Sequence, residues 1–170
     1  PCFMRITLNH GTRPKAEKYA YIILPNASEN ETKAYSENGG ISVLEQSEQI
    51  HLIYDKENDI YAFNLFSGTY SIGGFTFKAP CSAIINKNNS TVSISDPTLS
   101  AKDITVACGD GIKIAPSASY KSDGSAAKIS TLSRPGKATV INYKEEGAAS
   151  DNSEEKTISM KMRFVNHAVS

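Results

Sequence analysis

The sequence predicts an all-β protein: an antiparallel β-sandwich with a strip of a preceding β-sheet domain at its N-terminus and one short helix. Three observations lead to this prediction. Apolar and polar residues alternate with period two in short blocks, and turn-forming residues recur at roughly 8 to 12 residue intervals. The chain has 170 residues, enough to bury a substantial core. We therefore expect half-buried strands joined by tight turns.

The predicted strands are short runs rich in Ile, Val, Thr, Phe and Tyr, which favour pleated, half-buried surfaces. Turn signals such as Gly73-Gly74, Asp96-Pro97 and Gly109-Asp110-Gly111 separate them. In chain order, the predicted strands are Phe3–Leu8, Tyr19–Leu24, Ile41–Leu44, Ile50–Tyr54, Ile60–Leu65, Phe75–Phe77, Ser82–Ile85, Thr91–Ser95, Ile104–Ala107, Gly111–Ile114, Lys128–Leu132, Ala138–Tyr143 and Thr157–Phe164.

One helix is predicted between Glu29 and Asn38. Ser28 and Glu31 have the spacing of a capping box, and Gly39-Gly40 can take the left-handed conformation that ends a helix. The helix also marks a predicted boundary. Residues 1–38 are interpreted as the end of a central β-sheet domain, and residues 39–170 as a C-terminal sandwich of about ten strands. The polar segment 145–156 is expected to be either a long mobile hairpin loop or a disordered excursion.

Composition excludes several functional classes. Lys plus Arg number 18 and Asp plus Glu number 18, so no overall field would draw the chain to nucleic acid. No apolar run is long enough to span a membrane. Cys2, Cys81 and Cys108 lack metal-site spacing; we expect them to be unpaired, and a Cys81 to Cys108 disulfide is the alternative. No metal or cofactor is predicted, and the acidic turns at 55–59 and Asp96 lack the ligand order of a helix-loop-helix calcium site.

The N-terminal part of the chain carries a family resemblance. Its residues are Asn9-His10-Gly11-Thr12-Arg13-Pro14, then Tyr19-Ala20-Tyr21-Ile22-Ile23-Leu24-Pro25-Asn26, Tyr35, the run 41–44, Ile50-His51, Phe63-Asn64-Leu65-Phe66 and Ser93-Ile94-Ser95-Asp96-Pro97-Thr98. This pattern resembles the C-terminal portion of the family 8 polysaccharide lyases, which include hyaluronate, chondroitin and xanthan lyases. The resemblance is specific up to Thr98 and general beyond it.

The resemblance implies a parent enzyme that is secreted or extracellular and cleaves uronate-containing polysaccharides by β-elimination. It also implies that the catalytic residues lie in a preceding α/α toroid, which would be the partner of this chain. The fragment alone is therefore expected to be inactive and to contain no catalytic residues. Which polysaccharide the parent cleaves is left open by the sequence.

Candidate binding residues are few. Arg13, Lys15 and Lys18, with Arg5, form the densest group of cations, so Arg13, Lys15 and Lys18 are the predicted contacts for an acidic polysaccharide; a solvated loop is the alternative. The chain has no Trp, the strongest platform for stacking sugars, and eight Tyr. An independent carbohydrate-binding or surface-attachment module is the second functional hypothesis.

Catalytic interpretations of single residues are weaker than structural ones. Asn9-His10 is expected to form a polar corner after a strand, and His51 has no catalytic partner at a recognisable spacing. Tyr19 and Tyr21 should share one face of a strand, and Tyr54 and Tyr61 flank a predicted hairpin. Cross-strand aromatic packing is the usual reason for such pairs.

Overall fold

The computed structural model describes residue 7 and residues 9–100, 103–131 and 136–146. Within these residues there are one helix and twelve strands. The helix is α1 (Glu29–Asn38), and the strands are β1 (Ile41–Gln46), β2 (Ile50–Asp55), β3 (Ile60–Leu65), β4 (Thr69–Ile72), β5 (Phe75–Lys78), β6 (Cys81–Asn86), β7 (Thr91–Ser95), β8 (Asp103–Cys108), β9 (Ile112–Ile114), β10 (Lys121–Ser122), β11 (Ala126–Ser130) and β12 (Thr139–Glu145).

The strands form two antiparallel sheets, which confirms the predicted sandwich class. The larger sheet has seven strands in the order β1-β2-β3-β6-β7-β12-β9, and the smaller has five in the order β10-β11-β8-β5-β4. Consecutive pairs such as β2 with β3 and β6 with β7 are hairpins. Strand β12 returns from the C-terminal part of the described chain to pair with β7. The larger sheet therefore combines hairpins with strand pairs that are distant in sequence, such as β7 with β12.

The core lies between the sheets and follows the period-two pattern. In β2 the buried residues are Ile50 and Leu52, and in β5 they are Phe75 and Phe77. The rings of Phe63 from the larger sheet and Phe77 from the smaller meet edge to face, with centroids 4.8 Å apart. Aromatic pairs of this geometry add to the free energy of apolar burial. This contact joins the two sheets.

Helix α1 matches its prediction in bounds and in its N-terminal cap. The Ser28 backbone N–H donates to Glu31 Oε2 at 2.7 Å, and the Glu31 N–H donates to Ser28 Oγ at 3.3 Å. The Ser28 backbone N–H and the Ser28 hydroxyl both donate to Glu31 Oε2 at 2.7 Å, and these two hydrogen bonds hold the pKa of Glu31 below its usual value. The predicted left-handed stop is wrong: Gly39 has φ −58° and ψ 143°, so the chain leaves the helix in extended conformation.

The structure also corrects the predicted strands. Strands β4 and β10 were not predicted: β4 has only four residues and β10 two. Strand β11 covers 126–130, two residues earlier than predicted at its start. The predicted strand Tyr19–Leu24 belongs to no sheet in the described chain. A strand requires a partner for its backbone groups, and that requirement is invisible in a local pattern.

Some predictions lie outside the described residues. They are the strands Phe3–Leu8 (apart from Thr7) and Thr157–Phe164, residue 132 of the predicted strand Lys128–Leu132, Cys2, Arg5, and the segment beyond residue 146. Within the described residues no helix is long and apolar enough to cross a membrane.

Candidate functional site

The first candidate surface is the extended segment before α1. Gly11, Arg13 and Ala16 have positive φ angles of 77°, 57° and 53°. The side chain of Asn9 is used locally, because its Oδ1 accepts a hydrogen bond from the Gly11 N–H at 2.9 Å. This contact matches the predicted polar corner. The turns carry the chain from His10 back toward Tyr19.

An exposed aromatic cluster lies on this segment. The rings of Tyr19 and Tyr21 are nearly parallel, at an interplanar angle of 12° and a centroid distance of 6.4 Å. The ring of His10 lies 5.9 Å from that of Tyr19. Tyr19 and Tyr21 are 57% and 69% exposed. As predicted, the two tyrosines share a face, although no sheet provides that face.

The three predicted cations lie on the same segment and are exposed. The structure distinguishes Lys18 from the other two: its Nζ donates a hydrogen bond to the carbonyl oxygen of Gln46. Gln46 Nε2 in turn donates to the carbonyl oxygen of Tyr19 at 3.0 Å. Lys18 therefore ties the segment to the edge strand β1, whereas Arg13 and Lys15 have no hydrogen bond or ion pair to another described residue.

The second candidate surface is a groove between this segment and the larger sheet. Tyr19, Tyr21 and Tyr35 line one side of it, and His51 and Ile53 of β2 line the other. His51 also meets Phe66 edge to face at 5.0 Å. The groove was not predicted, because its walls come from segments that only the folded chain brings together. Among its described lining residues, Glu37 is the one Asp, Glu, Lys or Arg, so no ionic groups converge on it there.

The described tyrosines with a clear pKa shift are all shifted upward. Tyr54 donates to Asp59 Oδ1 at 3.1 Å and Tyr70 donates to Glu45 Oε2 at 2.7 Å, and these hydrogen bonds raise both tyrosine pKa values. Burial raises the pKa of Tyr143 to about 12. A tyrosine that acts as a base needs a lowered pKa. Tyr54 and Tyr70 therefore serve as hydrogen-bond donors, and Tyr143 serves in packing.

The predicted hairpin pair is confirmed. Tyr54 and Tyr61 are directly opposite in the β2–β3 ladder, and their rings stack with centroids 4.6 Å apart.

The acidic turns have local partners. Asp55 accepts hydrogen bonds from the backbone of Glu57 and Asn58 and from the Asn58 side chain, which lower its pKa. Asp96 accepts from the backbone and the hydroxyl of Thr98. Among the described residues, no three His, Cys, Asp or Glu side chains form a group that could hold a metal ion. These carboxylates stabilise turns.

Two of the cysteines are free thiols. Cys81 is fully buried in the larger sheet, and Cys108 is half-buried at the end of β8. The Cys108 Sγ lies 3.1 Å from the carbonyl oxygens of both Ile112 and Ser125, and its single S–H can donate to either. The expectation of unpaired cysteines is confirmed for this pair, and the alternative disulfide between them is wrong.

Comparison with known proteins gives a consistent set of relatives. Residues 42–105, from β1 into β8, match the family model described as polysaccharide lyase family 8, C-terminal beta-sandwich domain. The hyaluronate lyase HylB of Enterococcus faecalis is 30% identical over 107 residues, which cover 61% of this chain and 11% of that protein. Chondroitinase-AC of Pedobacter heparinus is 28% identical over 88 residues, covering 50% of this chain and 13% of that protein.

Solved structures agree on the fold. A xanthan lyase of Paenibacillus superposes with a TM-score of 0.56 at 18% identity, covering 72% of this chain and 13% of that one. A chondroitin AC lyase variant of Streptomyces coelicolor A3 superposes with a TM-score of 0.61 at 15% identity, covering 81% and 19%. The chain thus spans less than a fifth of the relatives it matches. Over residues 42–105 the chain is similar to the C-terminal β-sandwich domain of polysaccharide lyase family 8.

Proposed function

We propose that this chain is the non-catalytic C-terminal β region of a lyase that cleaves a uronate-containing polysaccharide by β-elimination. The observation that carries the proposal is the match of residues 42–105 to a C-terminal domain of lyases. The chain spans only 11% of the hyaluronate lyase HylB and 13% of chondroitinase-AC. The proteins that the chain resembles include hyaluronate, chondroitin and xanthan lyases. Hyaluronan, chondroitin and xanthan are therefore the candidate substrates of the whole protein.

The chemistry of β-elimination supports a structural role. The reaction needs a base for the proton next to the uronate carboxylate and a group that neutralises that carboxylate. Among the described residues, Tyr54, Tyr70 and Tyr143 have raised pKa values, and Asn9 is engaged by Gly11. The partner that supplies the catalytic groups would be the α/α toroid implied by the family resemblance.

We further propose the division predicted from sequence, with residues 1–38 at the end of a central sheet domain and residues 39–170 in the C-terminal sandwich. Two observations support it. Helix α1 has no buried residue, so it separates the parts without joining the core. The apolar segment 19–24 is largely exposed in this chain, as expected for a strand whose sheet partners lie in another part of a longer protein.

A second function, glycan binding by this chain itself, is favoured by one specific arrangement. The exposed Tyr19 and Tyr21 rings lie on the same segment as the exposed cations Arg13 and Lys15. Aromatic faces stack on sugar rings, and cations pair with uronate carboxylates. Lys18 would contribute less than its two neighbours, because it is bonded to Gln46.

Two measurements on the purified 170-residue chain test these proposals. The first follows the ultraviolet absorbance of unsaturated uronate with hyaluronan, chondroitin sulfate and xanthan; we expect no product, and product formation would refute the non-catalytic role. The second is affinity electrophoresis in gels containing the same polymers, with a neutral glucan as control. Retardation that is lost in the Arg13→Ala, Lys15→Ala, Lys18→Ala variant establishes glycan binding, and unchanged mobility in every gel refutes it.

We also propose that the protein is secreted or exposed at the cell surface, because polysaccharides of this class are too large to cross a membrane intact. The test is fractionation of the source culture with an antibody against this chain. Signal in the medium or on intact cells supports export, and signal confined to the lysate contradicts it.

A further inference from the structure

The outward face of the smaller sheet carries a row of lysines. Lys121 of β10 is directly opposite Lys128 of β11, and Lys128 is in turn opposite Thr105 of β8. The ladder between β8 and β5, continued by one residue, brings Lys78 to the level of Thr105. We call Lys78, Lys121 and Lys128 the lysine row, because the register places them side by side across the sheet.

The side chains of the lysine row point into solvent. Successive side chains of a strand point to opposite faces of its sheet, and Phe77, Ala127 and Ile129, the neighbours of Lys78 and Lys128 along their strands, are buried. All three lysines are exposed. At about 4.8 Å between neighbouring strands, the row is about 14 Å long from β10 to β5.

The sheet itself gains no stability from this arrangement. Like charges directly opposite each other destabilise a strand pair, and Lys121 faces Lys128 in this way. Asp103 relieves the repulsion in part, because its Oδ2 lies 3.0 Å from Lys128 Nζ. Among the described residues, no carboxylate lies within ion-pair distance of Lys78 or Lys121. The face therefore has a surplus of positive charge, although the formal net charge of the whole chain is zero.

The rest of this face is small and neutral. The hydroxyl groups of Ser71 and Thr76 lie 2.8 Å apart on it. The row next to the lysine row consists of Ala126, Ala107, Thr76 and Ser71. The aromatic residues of these five strands pack into the core instead. The face thus offers cations and hydroxyl groups, and lacks the aromatic platform on which sugar rings stack.

Resting on the proposed function, we propose that the lysine row binds the acidic polysaccharide at a place remote from the catalytic groups of the parent lyase. Its ammonium groups would pair with uronate carboxylates, and charge complementarity favours this partner. Nucleic acid fits less well, because duplex DNA carries a charge about every 1.7 Å and the row supplies only three cations. A uronate polymer carries carboxylates only on its uronate units, which suits a short row of separated lysines.

The lysine row is separate from the glycan contacts proposed above. Arg13 and Lys15 lie on the extended segment, which Lys18 ties to the edge strand β1 of the larger sheet through Gln46. The lysine row lies on the other sheet, so substitutions can remove either set of cations alone. A polymer held by the row would stay at high effective concentration near the catalytic part.

Affinity electrophoresis of the 170-residue chain tests the proposal. Graded amounts of hyaluronan in the gel give the apparent dissociation constant from the retardation. The test variant is Lys78→Gln, Lys121→Gln, Lys128→Gln. Hyaluronan whose carboxylates have been reduced to alcohols is the polymer control, because it keeps the sugar backbone and loses the charge.

A matched variant separates the row from net charge. Lys33→Gln, Lys56→Gln, Lys144→Gln removes the same charge from exposed lysines outside the smaller sheet. Replacing the three lysines of the row by Arg keeps the charge and should keep binding. Circular dichroism checks that each variant is folded.

We expect the apparent Kd of the test variant to rise at least about fivefold, since it loses three exposed ion pairs of modest strength, and that of the matched variant to stay within about twofold. Binding should weaken as salt is added, because exposed charges are screened. Asp103→Asn should strengthen binding, because it releases Lys128 from its ion pair. The reduced polymer should cause no retardation.

Several results would overturn the proposal. They are no retardation of the wild type, equal losses in the test and matched variants, and retardation that only the Arg13→Ala, Lys15→Ala, Lys18→Ala variant loses. Equal retardation by single-stranded DNA, lost in the same test variant, would assign the row to polyanions in general. Aggregation of the test variant with unchanged affinity would assign the lysines to the protection of sheet edges.

The proposed function is tested separately by the lyase activity of the longer protein that carries this chain. Formation of unsaturated uronate by that protein, with unchanged affinity of the test variant, overturns the inference about the lysine row alone. Loss of binding in the test variant, with no lyase activity in the longer protein, overturns the proposed function and leaves the lysine row as a binding site for the polymer.

Discussion

At the scale of single residues, two buried tyrosines differ in whether their hydroxyl groups have a partner. Tyr120 donates to the carbonyl oxygen of Ala115 at 2.8 Å. The hydroxyl of Tyr143 is buried and has no hydrogen-bond partner among the described residues. Its ring packs edge to face on Phe75, with centroids 4.9 Å apart. The ring of Tyr143 therefore contributes to the core while its hydroxyl loses hydration.

We predict that Tyr143→Phe increases the free energy of unfolding by about 1 kcal/mol, because it removes a desolvated and unpaired hydroxyl. Tyr120→Phe should decrease it by about 1 kcal/mol, because that hydroxyl is paired. Urea denaturation followed by circular dichroism measures both. A loss of stability in Tyr143→Phe as large as that in Tyr120→Phe would show that the Tyr143 hydroxyl has a partner in solution.

The buried Cys81 thiol gives a prediction about pH. Burial raises its pKa to about 12, and the negative charge of Asp96 adds to the rise. In the unfolded chain the pKa of a cysteine thiol is about 8.5. Between these values the folded state keeps a proton that the unfolded state has lost, so stability should fall as pH rises. The stabilising contribution of the Cys81 thiol is fully present at pH values below the thiol pKa of the unfolded chain.

The measurement is the slope of unfolding free energy against pH from the unfolded thiol value upward, in wild type and in Cys81→Ala. The variant will be less stable at neutral pH because it leaves a small cavity, but its slope should be shallower. Parallel slopes would contradict the assignment of the pH dependence to Cys81.

At the scale of elements, helix α1 depends on its own local interactions. None of its residues is buried, so tertiary packing contributes little, and an isolated helix of this length is marginal in water. The capping box of Ser28 and Glu31 satisfies backbone donors that the helix leaves free. The cap is therefore the main local interaction that we identify as stabilising the helix.

We predict that Ser28→Ala destabilises α1 by about 1 kcal/mol and leaves the unfolding midpoint of the sandwich unchanged. Backbone chemical shifts of residues 29–38 report helix population. The matched control is Ser36→Ala, which removes a hydroxyl that donates to the Lys33 carbonyl inside the helix and should change the population less. An equal effect of the two variants would show that the cap has no special role.

At the scale of the whole molecule, the two sheets share one core. Phe77 is fully buried in the smaller sheet and contacts Phe63 of the larger one. Because the sheets bury their inner faces against each other, neither can keep its core when the other unfolds. We therefore expect one cooperative transition for both sheets.

We predict that Phe77→Ala lowers the free energy of unfolding by about 3 to 5 kcal/mol, with coincident transitions by far-ultraviolet circular dichroism and tyrosine fluorescence. The control is Phe66→Ala, whose ring is 50% exposed and packs on His51; its cost should stay below about 1 kcal/mol. Two separate transitions in the Phe77 variant would show that the sheets unfold independently.

The sequence by itself determined the elements whose signals are local. Period-two alternation located strands such as β2 and β3, and the spacing of Ser28 and Glu31 located α1. These predictions succeed because the alternation along a strand and the capping box of a helix both involve residues that are close together in the chain. The Tyr54–Tyr61 pair was predictable for the same reason, since a hairpin turn sets its register.

Only the tertiary structure decided which segments pair and which faces remain open. The segment 19–24 has a strand pattern but no sheet in the described chain, because pairing depends on partners distant in sequence. The register of the larger sheet places Val43 and Val140 in one row that crosses six strands, and no local pattern indicates that residues of such a row are neighbours. Arg13 and Lys18 are both cations of the same segment in the sequence. Only the structure shows that the Lys18 side chain is hydrogen-bonded to the carbonyl oxygen of Gln46.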